Sequence, residues 1–206
     1  MINKAAGKSG APPLLIVLSG PSGVGKDAVI DALKKRNKKL QFIVTATTRP
    51  MREGEKEGVD YHFFSEQTFK KMVNNDEFLE WAKVYEHYYG VLHSRVQEAL
   101  SKGEDAIVRV DVQGAATIKS KVPGATFIFL APSSLKELEK RLKQRASESS
   151  ESLSLRLAKA SYEMERLYLF DYQVKNKTGQ LEKAVDEIEA IITAEKLRVT
   201  LKQVKI

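Results

Sequence analysis

The sequence predicts an α/β protein with a parallel central sheet and helices on both of its faces. Apolar runs of strand length alternate with segments of helical periodicity along most of the chain, which is the pattern of repeated strand–helix–strand units. The first apolar run, residues 14–19 (LLIVLS), leads directly into a glycine-rich turn. Short strands break the alternation between about 45 and 92, and this segment is expected to be an inserted subdomain.

Continuous apolar runs predict strands that are buried on both faces of the sheet. Helices are indicated by apolar residues at helical spacing, by Gly103 as a stop signal, and by Ser134 with Glu137 as a capping box. Strands are expected at 14–19, 42–45, 106–110, 125–130 and 172–175. Helices are expected at 27–35, 93–102, 134–145, from the serine-rich stretch 147–154 to about 170, and in a long segment from 181.

The inserted segment is polar at its start. Residues 49–60 (RPMREGEKEGVD) predict a loop, because glycines and charged side chains punctuate them. Short strands are expected at 61–64 and 78–81, with a helix between them that is capped near Ser65.

Composition narrows the classes of function. The chain has 206 residues and no cysteine, which excludes a thiolate metal site, a cysteine nucleophile and a disulfide framework. No apolar run approaches the roughly 20 residues of a membrane-spanning helix, so we expect a cytoplasmic protein with no membrane partner. The net charge of +7 suits polyanionic partners. The basic residues are dispersed, however, so we expect no nucleic-acid partner.

A phosphate-binding loop is predicted at residues 20–27 (GPSGVGKD), between the first strand and the first helix. Glycines allow backbone N–H groups to surround phosphate oxygens, the helix N-terminus adds partial positive charge, and Lys26 adds a full charge. The candidate ATP-binding residues are therefore those of this loop: Gly20, Pro21, Ser22, Gly23, Val24, Gly25, Lys26 and Asp27.

Asp27 departs from the usual loop, which has Ser or Thr after the lysine to reach Mg²⁺. One hypothesis is that the carboxylate binds Mg²⁺ in place of the hydroxyl. The alternative is that an acid in the first helical turn stabilises the helix N-terminus, by about 0.3–1 kcal/mol.

Six short motifs follow the loop in order: TTRPMR (47–52), GE (54–55), DY (60–61), EWA (80–82), YYG (88–90) and DVQG (111–114). With the loop, they make the chain resemble guanylate kinase, which transfers the γ-phosphate of ATP to GMP, over about residues 14–190. The resemblance implies a P-loop three-layer fold with an inserted GMP-binding subdomain and a helical lid. It implies a flexible tail at 1–13, a core of 14–44, 93–140 and 157–206, a GMP-binding subdomain of 45–92 and a lid of 141–156.

The resemblance also implies a GMP site. Its phosphate would be held by Arg49, Arg52, Tyr61 and Tyr89, and guanine would be read by Thr45, Glu80 and Asp111. Carboxylates are acceptors and suit the N1–H and exocyclic amine of guanine, which are donors. Asp111 ends an apolar strand, so a role near magnesium stays open. A second hydroxyl is usual after YYG, but this chain has Val91. We therefore expect looser discrimination between guanine and related bases.

Arg109 is a further departure from the family pattern, which commonly has an acidic residue two positions before Asp111. The exchange of charge here accompanies the acidic residue at position 27. We predict that Asp27 and Arg109 are neighbours whose charges compensate.

In the family, lid arginines clamp the phosphoryl group during its transfer, which implies catalytic roles for Arg141, Arg145 and Arg156. Lys26 of the loop is expected to balance the developing charge together with them. The expected reaction is direct transfer from ATP to GMP with Mg²⁺ as cofactor, by a monomer or a homodimer. One alternative is a non-catalytic guanylate-kinase-like module that binds phosphopeptides, and another is a basic nucleic-acid binder.

Overall fold

A computed structural model describes residues 11–84, 86–145 and 150–206, apart from the side chains of 144, 145 and 150–152. Its strands are β1 (Leu15–Ser19), β2 (Leu40–Phe42), β3 (Ala46–Thr47), β4 (His62–Phe63), β5 (Phe78–Val84), β6 (His87–Leu92), β7 (Asp105–Arg109), β8 (Thr126–Ala131) and β9 (Tyr172–Lys175). Its helices are α1 (Lys26–Arg36), α2 (Glu66–Asn74), α3 (His93–Ser101), α4 (Val112–Lys121), α5 (Leu135–Arg145), α6 (Ser150–Met164) and α7 (Leu181–Lys196), with a 3₁₀ turn at Leu167–Leu169.

The main sheet is parallel throughout, with strand order β2-β7-β1-β8-β9, and it confirms the predicted fold class. Its buried residues alternate between two clusters. Ile16 and Leu18 of β1 pack with residues of α1 and α7, whereas Leu15 and Val17 pack with residues of α3 and α4. Helices therefore cover both faces, and the loops at the carboxyl ends of the strands form an edge where ligands bind in such sheets.

A second sheet is built from residues between 46 and 92, in the order β4-β3-β6-β5. β3 pairs with β4 in parallel and with β6 antiparallel, and β5 pairs with β6 antiparallel. Phe69 of α2 stacks on Phe78 of β5 with ring centroids 4.3 Å apart, which seals this sheet on one side. The boundaries that the resemblance implies for the core, the GMP-binding subdomain and the lid stay predictions.

Several elements differ from their predicted positions. β2 lies earlier than the predicted 42–45, because its last hydrogen bond to β7 is the one that the Ile43 N–H donates to the Ile107 carbonyl, and β3 of the second sheet begins at Ala46. The strands β3 and β6 and the helix α4 were not predicted. The predicted helix to residue 170 ends at Met164, because the chain must turn to place Asp171 against β8. There, the backbone N–H of Asp171 donates to the Phe127 carbonyl, and the Asp171 carboxylate accepts from the Phe127 N–H.

In the part of the chain that the structure describes, no helix combines the length and the apolar character that crossing a bilayer requires. Most of the predicted N-terminal tail, residues 1–10, lies outside the described residues.

Candidate active site

The phosphate-binding loop connects β1 to α1 at the carboxyl edge of the main sheet. Gly20 approaches β8 so closely that a Cβ there would lie 2.2 Å from the Leu130 carbonyl oxygen. Gly25 caps α1 with a φ of +99°, a left-handed conformation that favours glycine. These two positions explain why the loop requires glycine, and they leave its N–H groups at the start of the helix.

Lys26 lies at the first position of α1 and turns back over the loop. Its Nζ donates to the carbonyl oxygens of Gly20 and Pro21, at 2.5 Å and 3.0 Å. Burial lowers the pKa of Lys26 to about 8. The ammonium therefore lies beside the loop, where phosphate oxygens would replace the two carbonyls and raise the pKa of the lysine again.

Arg141 contacts the backbone of the phosphate-binding loop. Its guanidinium donates to the backbone carbonyls of Val24, at 2.9 Å, and Asn176, at 2.6 Å, and it pairs with Glu137 at 2.6 Å. Asn176 donates to the same Val24 oxygen at 2.8 Å. Arg141 does not line either of the cavities described below. The structure therefore gives it a positioning contact with the loop, and the predicted phosphoryl clamp stays a prediction.

Asp27 and Arg109 form the predicted ion pair, between Asp27 Oδ1 and Arg109 Nη1. Arg109 Nη2 also donates to the hydroxyl of Tyr61, at 3.0 Å. The pair therefore connects the first turn of α1 to the loop that carries the predicted GMP-phosphate residues. The acidic residue at position 27 and the basic residue at position 109 thus neutralise each other in the structure, as the sequence predicted.

The predicted GMP-phosphate residues converge on one wall. The Arg49 guanidinium lies over the Tyr61 ring, 5.1 Å from its centroid, and Tyr61 meets Tyr89 edge to face at 6.1 Å. Glu55 holds Arg49 through two hydrogen bonds, of 2.9 Å and 2.7 Å, and accepts from the backbone N–H of Arg52 at 2.8 Å. The hydrogen bonds from Arg49 lower the pKa of Glu55 to about 2. Glu55 thus orients the Arg49 side chain and anchors the backbone at Arg52, a role that the sequence did not predict.

Glu80 is buried where β5 has a register shift between Phe78 and Glu80. Burial, and next the neighbouring Asp111 carboxylate, raise the pKa of Glu80 to about 8. A Cβ on Gly114 would lie 2.6 Å from Glu80 Oε2, so the glycine of the DVQG motif makes room for this carboxylate. The Val91 backbone N–H also donates to it.

Asp111 caps α4, because its Oδ1 accepts from the Gly114 N–H at 2.9 Å. Its Oδ2 lies 3.8 Å from the ammonium of Lys159. Val91 packs in the buried cluster below β5 and is not among the residues that line the cavities. It contributes a backbone donor to Glu80 instead of a side chain to the site, and the expected looseness of base discrimination stays a prediction.

Two cavities of about 360 Å³ each lie side by side at this edge. The first, called here the loop cavity, is lined by the phosphate-binding loop together with Glu80, Asp111 and Arg156. The second, called here the arginine cavity, contains Arg49 and Arg52. Both are lined by Asp27, Thr45, Tyr61, Tyr89 and Arg109. The structure therefore brings the predicted ATP and GMP residues to one continuous site. The side chain of Arg145 lies outside the described residues.

Glu163 and Lys159 also line the loop cavity, and sequence reasoning missed both. Glu163 is buried and accepts from the backbone N–H of Ser22, while its Oε2 has no hydrogen-bond partner among the described residues. Burial raises the pKa of this carboxyl group. Arg156, Lys159 and Glu163 follow a spacing of three and four, which places them on one face of α6. That spacing was the available signal.

Comparisons with known proteins agree with this geometry. A family model described as guanylate kinase matches residues 13–195. A guanylate kinase of Caldanaerobacter subterraneus subsp. tengcongensis is 45% identical over 186 residues, which is 90% of this chain and 89% of that protein. A chloroplastic/mitochondrial guanylate kinase 2 of Oryza sativa subsp. japonica is 45% identical over 195 residues, or 94% and 68%. The crystal structure of guanylate kinase from Anaplasma phagocytophilum superimposes with a TM-score of 0.74 and 28% identity, covering 92% of this chain and 89% of that one.

Proposed function

This chain belongs to the guanylate kinase family and is a GMP-phosphorylating enzyme. We propose that the phosphoryl group passes directly from ATP to GMP between the two adjoining cavities. The observation that carries this proposal is the shared wall between the phosphate-binding loop and the Arg49–Tyr61–Tyr89 cluster. ATP would bind at the loop and the GMP phosphate at the cluster. Formation of ADP from ATP on addition of GMP tests the activity.

The transfer itself needs no covalent enzyme intermediate. An oxygen of the GMP phosphate attacks the γ-phosphorus of ATP, the bond from that phosphorus to the β–γ bridging oxygen breaks, and ADP and GDP leave. The attacking oxygen is already deprotonated, so no side chain has to act as a strong base. The protein supplies positioning and positive charge, which is what phosphoryl transfer requires. Lys26 would contact the ATP phosphates, while Arg49, Arg52, Tyr61 and Tyr89 would hold the acceptor.

Magnesium fits the residues at the loop. Among the described residues, no group of three or more His, Cys, Asp or Glu is arranged to hold a metal. Mg²⁺ in kinases is commonly held by one or two carboxylates together with substrate phosphates. Asp27 would supply one such ligand through Oδ2, since Oδ1 pairs with Arg109. When bound with ATP, the ion supplies charge neutralisation on the phosphates.

Base selection would follow from Glu80 and Asp111, with Thr45 beside them in the cavity wall. Adenine presents an acceptor at N1 and lacks the 2-amino group, so it would leave a buried carboxylate unpaired. That loss costs about 1–3 kcal/mol.

Closure over the substrates is proposed for the arginines at 141, 145 and 156. Arg156 already lines the loop cavity. A segment that closes there would exclude water, which favours GMP over water as the acceptor. The cytoplasmic location and the monomeric or homodimeric state stay predictions.

Glu55→Gln is expected to raise the KM for GMP about tenfold with a smaller effect on kcat. The amide cannot replace the two charge-assisted hydrogen bonds that fix Arg49, so the arginine loses its orientation before GMP binds. Initial rates at varied GMP and saturating Mg·ATP measure this. Glu98→Gln is the matched control, since Glu98 pairs with Arg95 and Lys102 on the exposed face of α3. A KM that stays at the parent value would contradict the positioning role.

Guanosine binding at pH 7 is expected to release close to one proton. The pKa of Glu80 is about 8 in the empty site because of burial and Asp111, so the carboxyl group is mostly protonated at pH 7. Guanine donors require the carboxylate, so affinity should rise roughly tenfold from pH 6.5 to pH 8 and then level off. Calorimetry in two buffers of different protonation enthalpy counts the proton, and guanosine avoids the titration of a phosphate. Affinity that is flat or falls over this range would contradict the assignment.

A further inference from the structure

Arg109 lies beside the phosphate-binding loop and has no role in the reaction as proposed above. It ends β7, which lies beside β1 in the main sheet, so its side chain emerges next to the phosphate-binding loop. Its guanidinium contacts three groups: the carboxylate of Asp27, the hydroxyl of Tyr61 and, 5.6 Å from its centroid, the Tyr61 ring. One partner belongs to the predicted ATP site and the other to the predicted GMP-phosphate site.

Arg109 is the cation at the junction of the two cavities. Among the described residues that line both of them, it is the one with a positive charge. Lys26 lines the loop cavity and Arg49 the arginine cavity, so each of these stands on one side. A phosphoryl group that moves from donor to acceptor must cross the boundary at which Arg109 lies.

Stability alone gives a weak reason for the Asp27–Arg109 pair. The Asp27 side chain is 65% exposed and that of Arg109 is 25% exposed. An ion pair with one strongly solvated partner contributes about 0–1 kcal/mol to folding. The pair nevertheless holds a guanidinium at the mouth of a phosphate-binding loop, where desolvation makes each contact with an anion stronger.

The donor capacity of Arg109 is also not exhausted. A guanidinium carries five N–H donors in a planar fork. Asp27 engages Nη1 and Tyr61 engages Nη2, so further N–H groups can reach an anionic oxygen. A phosphate that arrives beside the Tyr61 hydroxyl would share the same guanidinium, which suits bidentate recognition.

We propose that Arg109 is a further catalytic residue, which binds the GMP phosphate and then the phosphoryl group as it passes between the two cavities, with Asp27 as its positioning residue. This inference rests on the proposed function. No bond to Arg109 forms or breaks. Its charge offsets the negative charge on the oxygens of the transferring group, and the Asp27 carboxylate keeps the guanidinium at the boundary until substrate arrives.

The test compares two ligands that differ only in the phosphate. For Arg109→Gln, we expect the Kd of GMP to rise about tenfold, the Kd of guanosine to stay within about twofold, and kcat to fall about 10²-fold. Loss of one such donor in other enzymes costs 10²–10³ in kcat. Arg109→Lys retains the charge but lacks the planar fork of N–H donors. Its Kd for GMP and its kcat should therefore lie between those of the parent enzyme and those of Arg109→Gln. Arg36→Gln is the control, because Arg36 pairs with carboxylates of α7 and lines neither cavity.

Asp27→Asn separates a substrate contact from a structural pair. If Arg109 binds phosphate, the Asn variant keeps most of the affinity for GMP, and the Gln variant at 109 does not. If Asp27→Asn, Arg109→Gln and the double variant weaken GMP and guanosine equally, the pair is structural and the proposal is overturned. Unchanged GMP binding in Arg109→Gln also overturns it. Parent enzyme without turnover would refute the proposed function instead, whatever Arg109 does to binding.

Discussion

Lys26→Ala is expected to lower kcat about a thousandfold while leaving the fold intact. The ammonium lies against the loop carbonyls of Gly20 and Pro21 and therefore at the place where ATP phosphates would bind. Removing a preorganised donor that faces developing charge lowers kcat about 10²–10³-fold. Because Lys26 is buried and fully charged, we expect a reduction at the upper end of this range. Initial rates of ADP formation at saturating GMP and Mg·ATP give the effect.

The fold should survive this change because, among the described residues, the hydrogen bonds of the ammonium go to carbonyls of its own loop. A thermal melt close to that of the parent enzyme verifies this. Lys102→Met is the matched control, since Lys102 pairs with Glu98 at the exposed end of α3 and its loss should leave kcat unchanged. A Lys26 variant that kept kcat and lost only ATP affinity would show that the lysine binds the ground state and does not stabilise the transfer.

Glu80→Gln is expected to lower kcat/KM for GMP about 10²-fold. The carboxylate would accept from two guanine donors, and hydrogen bonds to charged groups contribute about 1.5–3 kcal/mol. A glutamine has one acceptor oxygen and places its NH₂ group against a guanine donor. IMP lacks the exocyclic amine, so kcat/KM for IMP should fall less, and the preference for GMP over IMP should shrink.

The same substitution has a pH signature. Because the pKa of Glu80 is about 8 in the empty site, a variant without this group should lose the rise in guanosine affinity between pH 6.5 and pH 8. Glu98→Gln again serves as the control. Preserved preference for GMP in Glu80→Gln would place base selection elsewhere in the cavity.

The position of the phosphate-binding loop between β1 and α1 could be predicted because its signal is local, whereas the binding of ATP there stays a prediction. A buried apolar strand, a left-handed glycine before the helix and a lysine at the first helical position all lie within a few residues. The Asp27–Arg109 pair was also predictable, although its members are far apart in sequence. Asp27 and Arg109 both depart from the family pattern, carry opposite charges and lie at the same predicted edge of the sheet. An ion pair between them was therefore the expected arrangement.

Other features depend on contacts that sequence does not display. Arg141 and Asn176 meet at the Val24 carbonyl from two different elements, and no local pattern links them. The helix α4 was missed for a different reason. Its segment contains Gly114, which lowers helix propensity, although Asp111 before it is a regular N-cap residue.

The burial of Glu80 illustrates what only packing decides. The EWA motif marks the residue, but its raised pKa depends on the register shift in β5, on the space above Gly114 and on the proximity of Asp111. Lys121 of α4 further secures this strand, because it donates to the Leu79 carbonyl at 2.9 Å. These contacts link two elements that are far apart in the chain.

The most direct test of the account is ADP formation from Mg·ATP by the purified protein, with GMP, dGMP, IMP, AMP and UMP offered separately. We expect rapid turnover with GMP and dGMP, weaker turnover with IMP, and the weakest turnover with AMP and UMP, because a guanine base would supply donors to both Glu80 and Asp111. Equal turnover with AMP would contradict the assignment of the base-reading residues. The absence of turnover with every acceptor, while GMP still binds, would contradict the account as a whole and favour a binding module.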